Sequence, residues 1–467
     1  MQEIPTTRDF IDKFGGYNHN VRIGENEFYD MKNLTSSHYP VFATRNKRGT
    51  YLPTSSFAEG LFQQREFPVG FINKDGLCVV TVSEIGTNYQ LKIRIGEKVY
   101  AFPQLTNYDS SHKRNVVSMG AYIGIFPDNV YINTATITDE EPEMGCFESS
   151  LTNTSTITFF PRTKDGKNIH ISQVFDKTTD PDFLTEYANK DSVRGPVNYW
   201  YVLEENTGDL FYWVPSDDGG AWFSDRAYLG MIFAGVSSKF KVGDGIRFDG
   251  FDEEKDADKE ILKDLFNDDI NRPFAVTAIK NNNITLDYKL ANFKKCVNSK
   301  NNNTDTAVNL RKITPIMDYV IESGNRLWGC RYGENRFGDI VNEIYASKLG
   351  DFSNWETFSG ISTDSYAASV GSPGPFSGAI SYLGIPLFFK QDCVHAVYGN
   401  FPSTYQIQTT ECKGVQQGCA DSLAIVNGTL LYKSVRGVCA YTGSLPTDIG
   451  YALNEQKLSY KDAFASE

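Results

Sequence analysis

The chain has 467 residues, a formal net charge of −13 and a hydrophobic fraction of 40%. No run of 18 apolar residues occurs, so no membrane-spanning helix is expected, and Met1-Gln-Glu-Ile-Pro-Thr-Thr7 lacks the basic n-region and apolar core of a secretory signal. The acidic balance excludes tight phosphate binding through clustered Lys and Arg, yet an acidic lumen would let a nucleic acid slide past without sticking.

The length allows two to four domains with ample core. Aromatic residues reach 13%, with 26 Tyr and 32 Phe, which favours strands. Eighteen Pro and 39 Gly punctuate the chain at short intervals, as an all-β protein requires. The eight Cys (78, 146, 296, 330, 393, 412, 419 and 439) include no CxxC pair. Zinc-ribbon spacing is absent, and reduced thiols of a chain made in a cytosol are expected. A Cys393–Cys439 pair stays open.

In chain order, residues 1–50 read as an extended entry segment. It carries a Phe14-Gly-Gly-Tyr-Asn18 turn and a basic turn at Thr44-Arg-Asn-Lys-Arg-Gly49. Residues 51–150 read as β. Gly76-Leu-Cys-Val-Val-Thr-Val-Ser83 is a buried strand, whereas Tyr89-Gln-Leu-Lys-Ile-Arg-Ile95 alternates strictly and should have one wet face. Tyr122–Phe126 and Val130–Asn133 form a hairpin across Pro127-Asp-Asn129.

Residues 151–314 differ in character and read as an inserted small β-barrel or sandwich domain. Val242-Gly-Asp-Gly-Ile-Arg-Phe248 and Asn283-Ile-Thr-Leu-Asp287 suit its strands. Between them, residues 252–269 hold nine acids and three bases, with Ile261, Leu262, Leu265 and Phe266 at helical spacing. One short amphipathic helix is expected there.

From 315 to 467 a hairpin signature recurs. Glu343-Ile-Tyr-Ala-Ser-Lys348, Pro386-Leu-Phe-Phe-Lys390 and Thr429-Leu-Leu-Tyr-Lys-Ser434 overlay, with Tyr345, Phe388 and Leu431 recurring every 43 residues. A repeat of about 40–50 residues built of short strands is the mark of a β-propeller blade. The expected fold is therefore all-β, a β-propeller-like domain interrupted by the inserted domain. The 34 residues after Lys433 are fewer than one repeat, so closure is expected to borrow an N-terminal strand or to need a further piece.

Candidate chemistry is sparse. Ser216-Asp-Asp-Gly-Gly-Ala-Trp222 resembles an Asp-box turn, but its Trp falls one residue too near. Arg326, Arg331 and Arg336, with Tyr332 and Glu334, could suggest a sialidase grip, yet on a strand 331 points away from the other two. Asp249–Glu260 fails as a calcium loop, with Glu254 where Gly is needed. The five His (19, 38, 112, 170 and 395) have no metal spacing, and His395 reads as a strand-face residue. Gly371-Ser-Pro-Gly-Pro-Phe376 has no Lys and cannot cradle phosphate, so it reads as a rigid inter-blade loop. Arg45-Asn-Lys-Arg48 and His112-Lys-Arg114 are the only basic clusters, and either could touch DNA or an acidic neighbour. No catalytic residue, cofactor or metal site is expected.

The run Ile344-Tyr-Ala-Ser-Lys-Leu-Gly-Asp-Phe-Ser-Asn-Trp355, with Leu327-Trp-Gly329, Val370-Gly-Ser-Pro-Gly-Pro-Phe376 and Pro386-Leu-Phe-Phe-Lys390, resembles tailed-bacteriophage virion proteins. These are propeller-type tail hub, nozzle or packaged-DNA stabilisation components. Phe14-Gly-Gly-Tyr-Asn18 and Asp30-Met-Lys-Asn-Leu34 look like the family's opening segment. The resemblance implies a structural, non-enzymatic protein located in the virion tail after synthesis in the host cytoplasm. It implies a six-fold or twelve-fold homo-oligomeric ring at the head–tail connector or tail hub, in contact with portal, adaptor or other tail proteins. Packaged DNA would pass through the lumen without sequence-specific binding, and no membrane would be involved. The expected blade-packing and assembly residues are Trp328, Tyr345, Trp355, Pro373, Pro375, Phe376 and Phe388. The alternatives are a glycan-binding tail protein or sialidase-like propeller, and a monomeric peptide-binding scaffold.

Overall fold

A computed structural model describes residues 15–35, 43–45, 69–73, 76–85, 88–96, 98–106, 114–137, 142–152, 157–187, 200–217, 220–252, 254–266, 269–290 and 307–450. The fold is all-β, and among the described residues no helix is long and apolar enough to cross a membrane. Five sheets follow one another in sequence as antiparallel meanders. The first comprises Val69–Asn73, Gly76–Ile85, Asn88–Ile95 and Lys98–Ala101, with Leu105–Thr106 also paired to the third of these. The second comprises Asn115–Met119, Tyr122–Phe126, Val130–Asn133 and Met144–Cys146. The third comprises Tyr319–Ser323, Arg326–Glu334, Ile340–Ala346 and Tyr366–Ser369. The fourth comprises Gly378–Tyr382, Ile385–Phe389, Cys393–Tyr398 and Gln406–Glu411. The fifth comprises Ala424–Val426, Thr429–Ser434, Gly437–Tyr441 and Thr447–Asp448.

The first strands of the first four sheets lie side by side. Val69–Asn73 adjoins Asn115–Met119, which adjoins Tyr319–Ser323, which adjoins Gly378–Tyr382. Each neighbouring pair of sheets shares an apolar core. Leu91 and Ile93 meet Ile123 and Ile132 between the first and second. Phe126 and Phe147 meet Leu327, Tyr345 and Trp355 between the second and third. Trp328 and Ile344 meet Phe376, Phe388 and Val397 between the third and fourth. Phe389 and Val394 meet Leu430 and Tyr432 between the fourth and fifth.

This stacking explains the continuous apolar runs. Successive strand residues face opposite sides. Leu327 therefore enters one core and Trp328 the next, while Phe388 and Phe389 divide in the same way. Strands buried on both faces do not alternate in sequence. In the first sheet the strict alternation of Asn88–Ile95 has the outcome its pattern predicts. Leu91, Ile93 and Ile95 are buried, and Gln90, Lys92 and Arg94 are only half-buried.

The 43-residue register does not describe these sheets. Tyr345 lies on the third strand of its sheet, whereas Phe388 lies on the second strand of the next. Equivalent hairpin turns sit at Gly324-Asn325, Leu383-Gly384 and Asn427-Gly428, all with positive φ. From Asn325 to Gly384 is 59 residues, and from Gly384 to Gly428 is 44. The long connection between Ile340–Ala346 and Tyr366–Ser369 lengthens the first interval. Apolar periodicity cannot separate second from third strands when both are buried on both faces.

Between the second and third sheets lies a β unit spanning 149–312. Seven strands form one sheet in the order Ser149–Thr152, Asn309–Lys312, Gly245–Asp249, Phe274–Lys280, Asn283–Lys289, Tyr228–Ile232 and Phe159–Arg162. The expected helix is present at Asp256–Asp264, with Asp256 and Asp258 in its first turn, where they suit the helix dipole. It delivers Ile261, with Leu265 and Phe266 just beyond its end, to the unit's core. A four-stranded sheet, His170–Phe175, Trp200–Glu204, Leu210–Val214 and Ala221–Asp225, adds Tyr201, Leu203 and Leu210 to the same core.

Phe388 is fully buried between the third and fourth sheets. Phe388→Ala is expected to cost about 3–5 kcal/mol of unfolding free energy. An unfolding free energy from denaturant titration within about 1 kcal/mol of that of the unaltered protein would contradict this packing.

Candidate functional site

The distinctive Ser347–Trp355 run, with Glu356 and Thr357 just after it, grips the intervening β unit. Gly243 has a φ of 90°, a conformation that suits glycine, and its carbonyl is turned toward the run. Three donors converge on that oxygen: Lys348 Nζ at 3.1 Å, Asn354 Nδ2 at 2.6 Å and Thr357 Oγ1 at 2.9 Å. Asn354 Oδ1 in turn accepts the Gly245 N–H at 3.2 Å. A Cβ on Gly245 would lie 2.1 Å from the Glu356 carbonyl oxygen, so glycine is required for the two backbones to approach. The Val242-Gly-Asp-Gly-Ile246 sequence thus supplies a turn and a contact.

Charges flank this clamp. Lys312 Nζ meets Asp244 at 2.8 Å and donates to Ser353 Oγ at 3.0 Å, with both members of the ion pair buried. Arg247 binds Glu356 through two nitrogens, at 2.9 and 2.7 Å. Lys241 lies 3.5 Å from Asp351, but it is exposed and contributes little. Burial would raise the Asp351 pKa, but Lys312, Lys241 and Ser353 together hold it below the usual carboxylate range. Beside the clamp opens a cleft of about 340 Å³ walled by Tyr122, Tyr131, Lys239, Lys241 and Phe352.

A second polar cluster lies beneath the 371–376 loop, at the seam of the third and fourth sheets. Lys390 is buried and donates to Asn342 Oδ1 at 2.9 Å and to the Ser372 carbonyl at 2.7 Å. Its ammonium also sits 4.7 Å from the Phe376 ring centroid and 5.1 Å from that of Tyr332. Burial pushes the Lys390 pKa down. His395 has one ring nitrogen 2.7 Å from Ser372 Oγ and the other 2.8 Å from Thr409 Oγ1. Burial, and after it the charge of Lys390, pushes the His395 pKa down to about 4.

A serine hydroxyl on an imidazole is also the first half of a nucleophilic site. Here the orienting partner is a neutral hydroxyl rather than a carboxylate. Burial and Lys390 both oppose the imidazolium that a general base must become. The arrangement is suited to locking the loop across the seam.

The expected site residues fall into two groups. Trp328, Tyr345, Trp355, Phe376 and Phe388 are buried in the inter-sheet cores, while Pro373 and Pro375 are exposed on the seam loop. Trp355, expected to matter for contacts between copies, is 3% exposed and packs within its own chain. The three arginines do not converge. Arg326 is buried and donates to the carbonyls of Ser347, Ser362 and Asp364. Arg331 binds Asp318, and Arg336 binds Glu148. In the Asp-box-like segment, of which 218 and 219 lie outside the described residues, Gly220 N–H donates to Ser216 Oγ and Trp222 Nε1 donates to the Leu184 carbonyl. Asp249 pairs with Arg311, and among the described residues no three His, Cys, Asp or Glu side chains cluster so as to hold a metal ion. Of the basic clusters, Asn46, Lys47, Arg48, His112 and Lys113 lie outside the described residues. Arg114 is buried against Asp128 at 2.8 Å and so is turned away from any DNA. Sequence reading missed Asn342, Lys390 and Lys312 as organising groups. The available signal was a lysine closing or embedded in an apolar strand.

No protein-family model matches the chain, and no curated protein matches it. Among solved structures it is similar to apo AztD from Citrobacter koseri, at 10% identity and a TM-score of 0.25, covering 81% of this chain and 87% of that one. It is similar to a crystal structure of Citrobacter koseri AztD at 10% identity and a TM-score of 0.26, covering 81% and 84%. Likeness at this level carries no argument about what the chain does.

The seam has a pH signature. The unfolded chain takes up a proton at His395 near pH 6.5, whereas the folded seam refuses it until about pH 4. Stability from this group is therefore complete above about pH 6.5 and falls as pH drops toward 4, by at most about 3 kcal/mol. His395→Gln is expected to flatten the denaturant midpoint between pH 4 and 7 relative to the unaltered protein. Parallel profiles would contradict this role.

Proposed function

We propose that the chain is a structural virion protein of a tailed bacteriophage. In this reading the five meander sheets are blades of a β-propeller and 149–312 is a domain inserted between two of them. Copies assemble as a homo-oligomeric ring at the head–tail connector or the tail hub or nozzle. The ring extends the DNA channel and helps retain the packaged genome, with portal, adaptor or other tail proteins as neighbours.

The observation that carries this reading is the Ser347–Trp355 run. It is the most specific part of the resemblance, and it binds the intervening β unit, with Lys348 and Asn354 donating to the Gly243 carbonyl and Ser353 accepting from Lys312. The sheet order supports the propeller. Consecutive four-stranded meanders lie with their first strands side by side, the placement of inner strands around an axis. The net charge of −13 suits a wall that DNA passes without adhering. Stiffness is what a channel needs, and buried inter-sheet cores provide it.

Light scattering on the purified chain, followed by electron microscopy of any large species, tests this. The expected outcome is a closed ring with a pore wide enough for duplex DNA. A monomer that binds or cleaves a glycan would overturn the reading.

A further inference from the structure

The cleft beside the clamp has a volume of about 340 Å³ and opens where the second sheet, the Ser347–Trp355 run and the intervening β unit meet. Small-molecule sites run from about 300 to 1,000 Å³ and favour the junctions between structural units. This cleft is at the small end of that range. It admits one ring and one charged group, and it is too narrow for duplex DNA.

One wall is aromatic. Tyr122 and Tyr131 stand on neighbouring strands of the second sheet, and Phe352 packs against both, with ring centroids 4.5 and 5.1 Å away. Phe147, itself buried, stacks on Tyr131 at 5.7 Å. The wall is held by its own packing, so little order has to be imposed when a ligand binds.

The rest of the lining carries charge. The carboxylates are Glu143, Asp244 and Asp351, and each is occupied. Asp244 accepts from Lys312 Nζ at 2.8 Å and from the Lys241 N–H at 3.0 Å. Asp351 accepts from the N–H and the Oγ of Ser353, at 3.1 and 2.8 Å. Glu143 accepts from Asn133 Nδ2 at 2.8 Å. The cations are less engaged. Lys239 is exposed and has no ion pair or hydrogen bond among the described residues. Lys241 lies 3.5 Å from Asp351 with its side chain 66% exposed, a pair that contributes little. Lys312 is buried and uses two of its three N–H groups on Asp244 and Ser353. The charge left for a ligand is therefore positive, in a chain whose net charge is −13.

Several ammonium groups match a dianion better than a single charge. A phosphate monoester carries about −1.5 to −2 at neutral pH, more than a carboxylate. The aromatic wall suits a planar ring. We propose that this cleft binds one small phosphate monoester bearing a planar aromatic ring, a nucleoside monophosphate in chemical class. The planar ring packs against Tyr122 and Phe352, and the phosphate sits among Lys239, Lys241 and Lys312. The site lies within one copy of the chain, so it does not rest on assembly of copies.

The test uses the full chain, with the four deoxynucleoside 5′-monophosphates as separate probes and calorimetry for affinity. Cys146, an exposed thiol on the lining of the cleft, gives a second readout. Burial and then Glu148 push its pKa up while Lys239 pulls it down, so alkylation by iodoacetamide is followed at about pH 9 by peptide mass spectrometry. At least one probe is expected to bind with a Kd below about 1 mM and to slow alkylation of Cys146. The matching nucleoside and inorganic phosphate should each bind about tenfold more weakly or worse. Lys239→Ala should weaken binding by about tenfold at an unchanged melting temperature, and Lys239→Arg should retain it. No binding of any of the four probes at about 1 mM overturns the proposal. Equal affinity for the bare nucleoside overturns the phosphate assignment, and equal affinity for inorganic phosphate overturns the aromatic one. Binding that leaves Cys146 unprotected, or that is undiminished in Lys239→Ala, places the nucleotide outside this cleft and overturns the site.

Discussion

The Gly243 carbonyl is the point on which the two parts of this fold meet. A backbone oxygen turned out of a glycine turn accepts from Lys348, Asn354 and Thr357, all in one connection of the third sheet. Neutral hydrogen bonds contribute about 1 kcal/mol each, and leaving a buried partner unpaired costs more. The buried Lys312–Asp244 pair raises that penalty. Its net stabilisation is small, but breaking it strands a charge. The clamp thus fixes position more than it adds stability. That is a useful property where a large β unit lies in sequence between two sheets that share one core.

The same logic runs through the seams. Apolar side chains fill the space between sheets, but the third, fourth and fifth sheets also place among them buried cations that donate to carbonyls. Arg326 donates to three of them, and Lys390 to one carbonyl and one side-chain amide. Lys433 repeats the device in the fifth sheet, donating to Gln416 Oε1 at 2.8 Å and to the Ser434 carbonyl. Cations without a carboxylate bind in one register only, because the wrong carbonyl leaves them unsatisfied. A wall built this way is specified as well as packed.

Much of this was legible in the sequence. The Pro127-Asp-Asn129 hairpin, the wet face of 89–95 and the acidic helix with Ile261, Leu265 and Phe266 each follow from local pattern, and each is present. The change in character expected at residue 151 falls close to the first strand of the seven-stranded sheet, which begins at Ser149. Two things were not legible. Tyr345 and Phe388 look equivalent because both lie in doubly buried strands, and only the turns reveal that one is in a third strand and the other in a second. Trp355 reads as a blade-packing or assembly residue, and what the polar residues around it do is not legible from the run itself. That polarity serves Gly243 and Gly245, more than 100 residues away in sequence. Long-range pairing of polar groups leaves no periodic trace.

Amide hydrogen exchange on the full chain carrying Asn354→Ala tests the clamp most directly. Removing one amide side chain takes a donor from Gly243 and an acceptor from Gly245. Protection should fall across 241–247 and 348–357 while the cores of the first, second, fourth and fifth sheets stay protected. Unchanged protection at both segments would contradict the clamp. Loss of protection throughout the chain would show that 354 supports the whole fold rather than one junction.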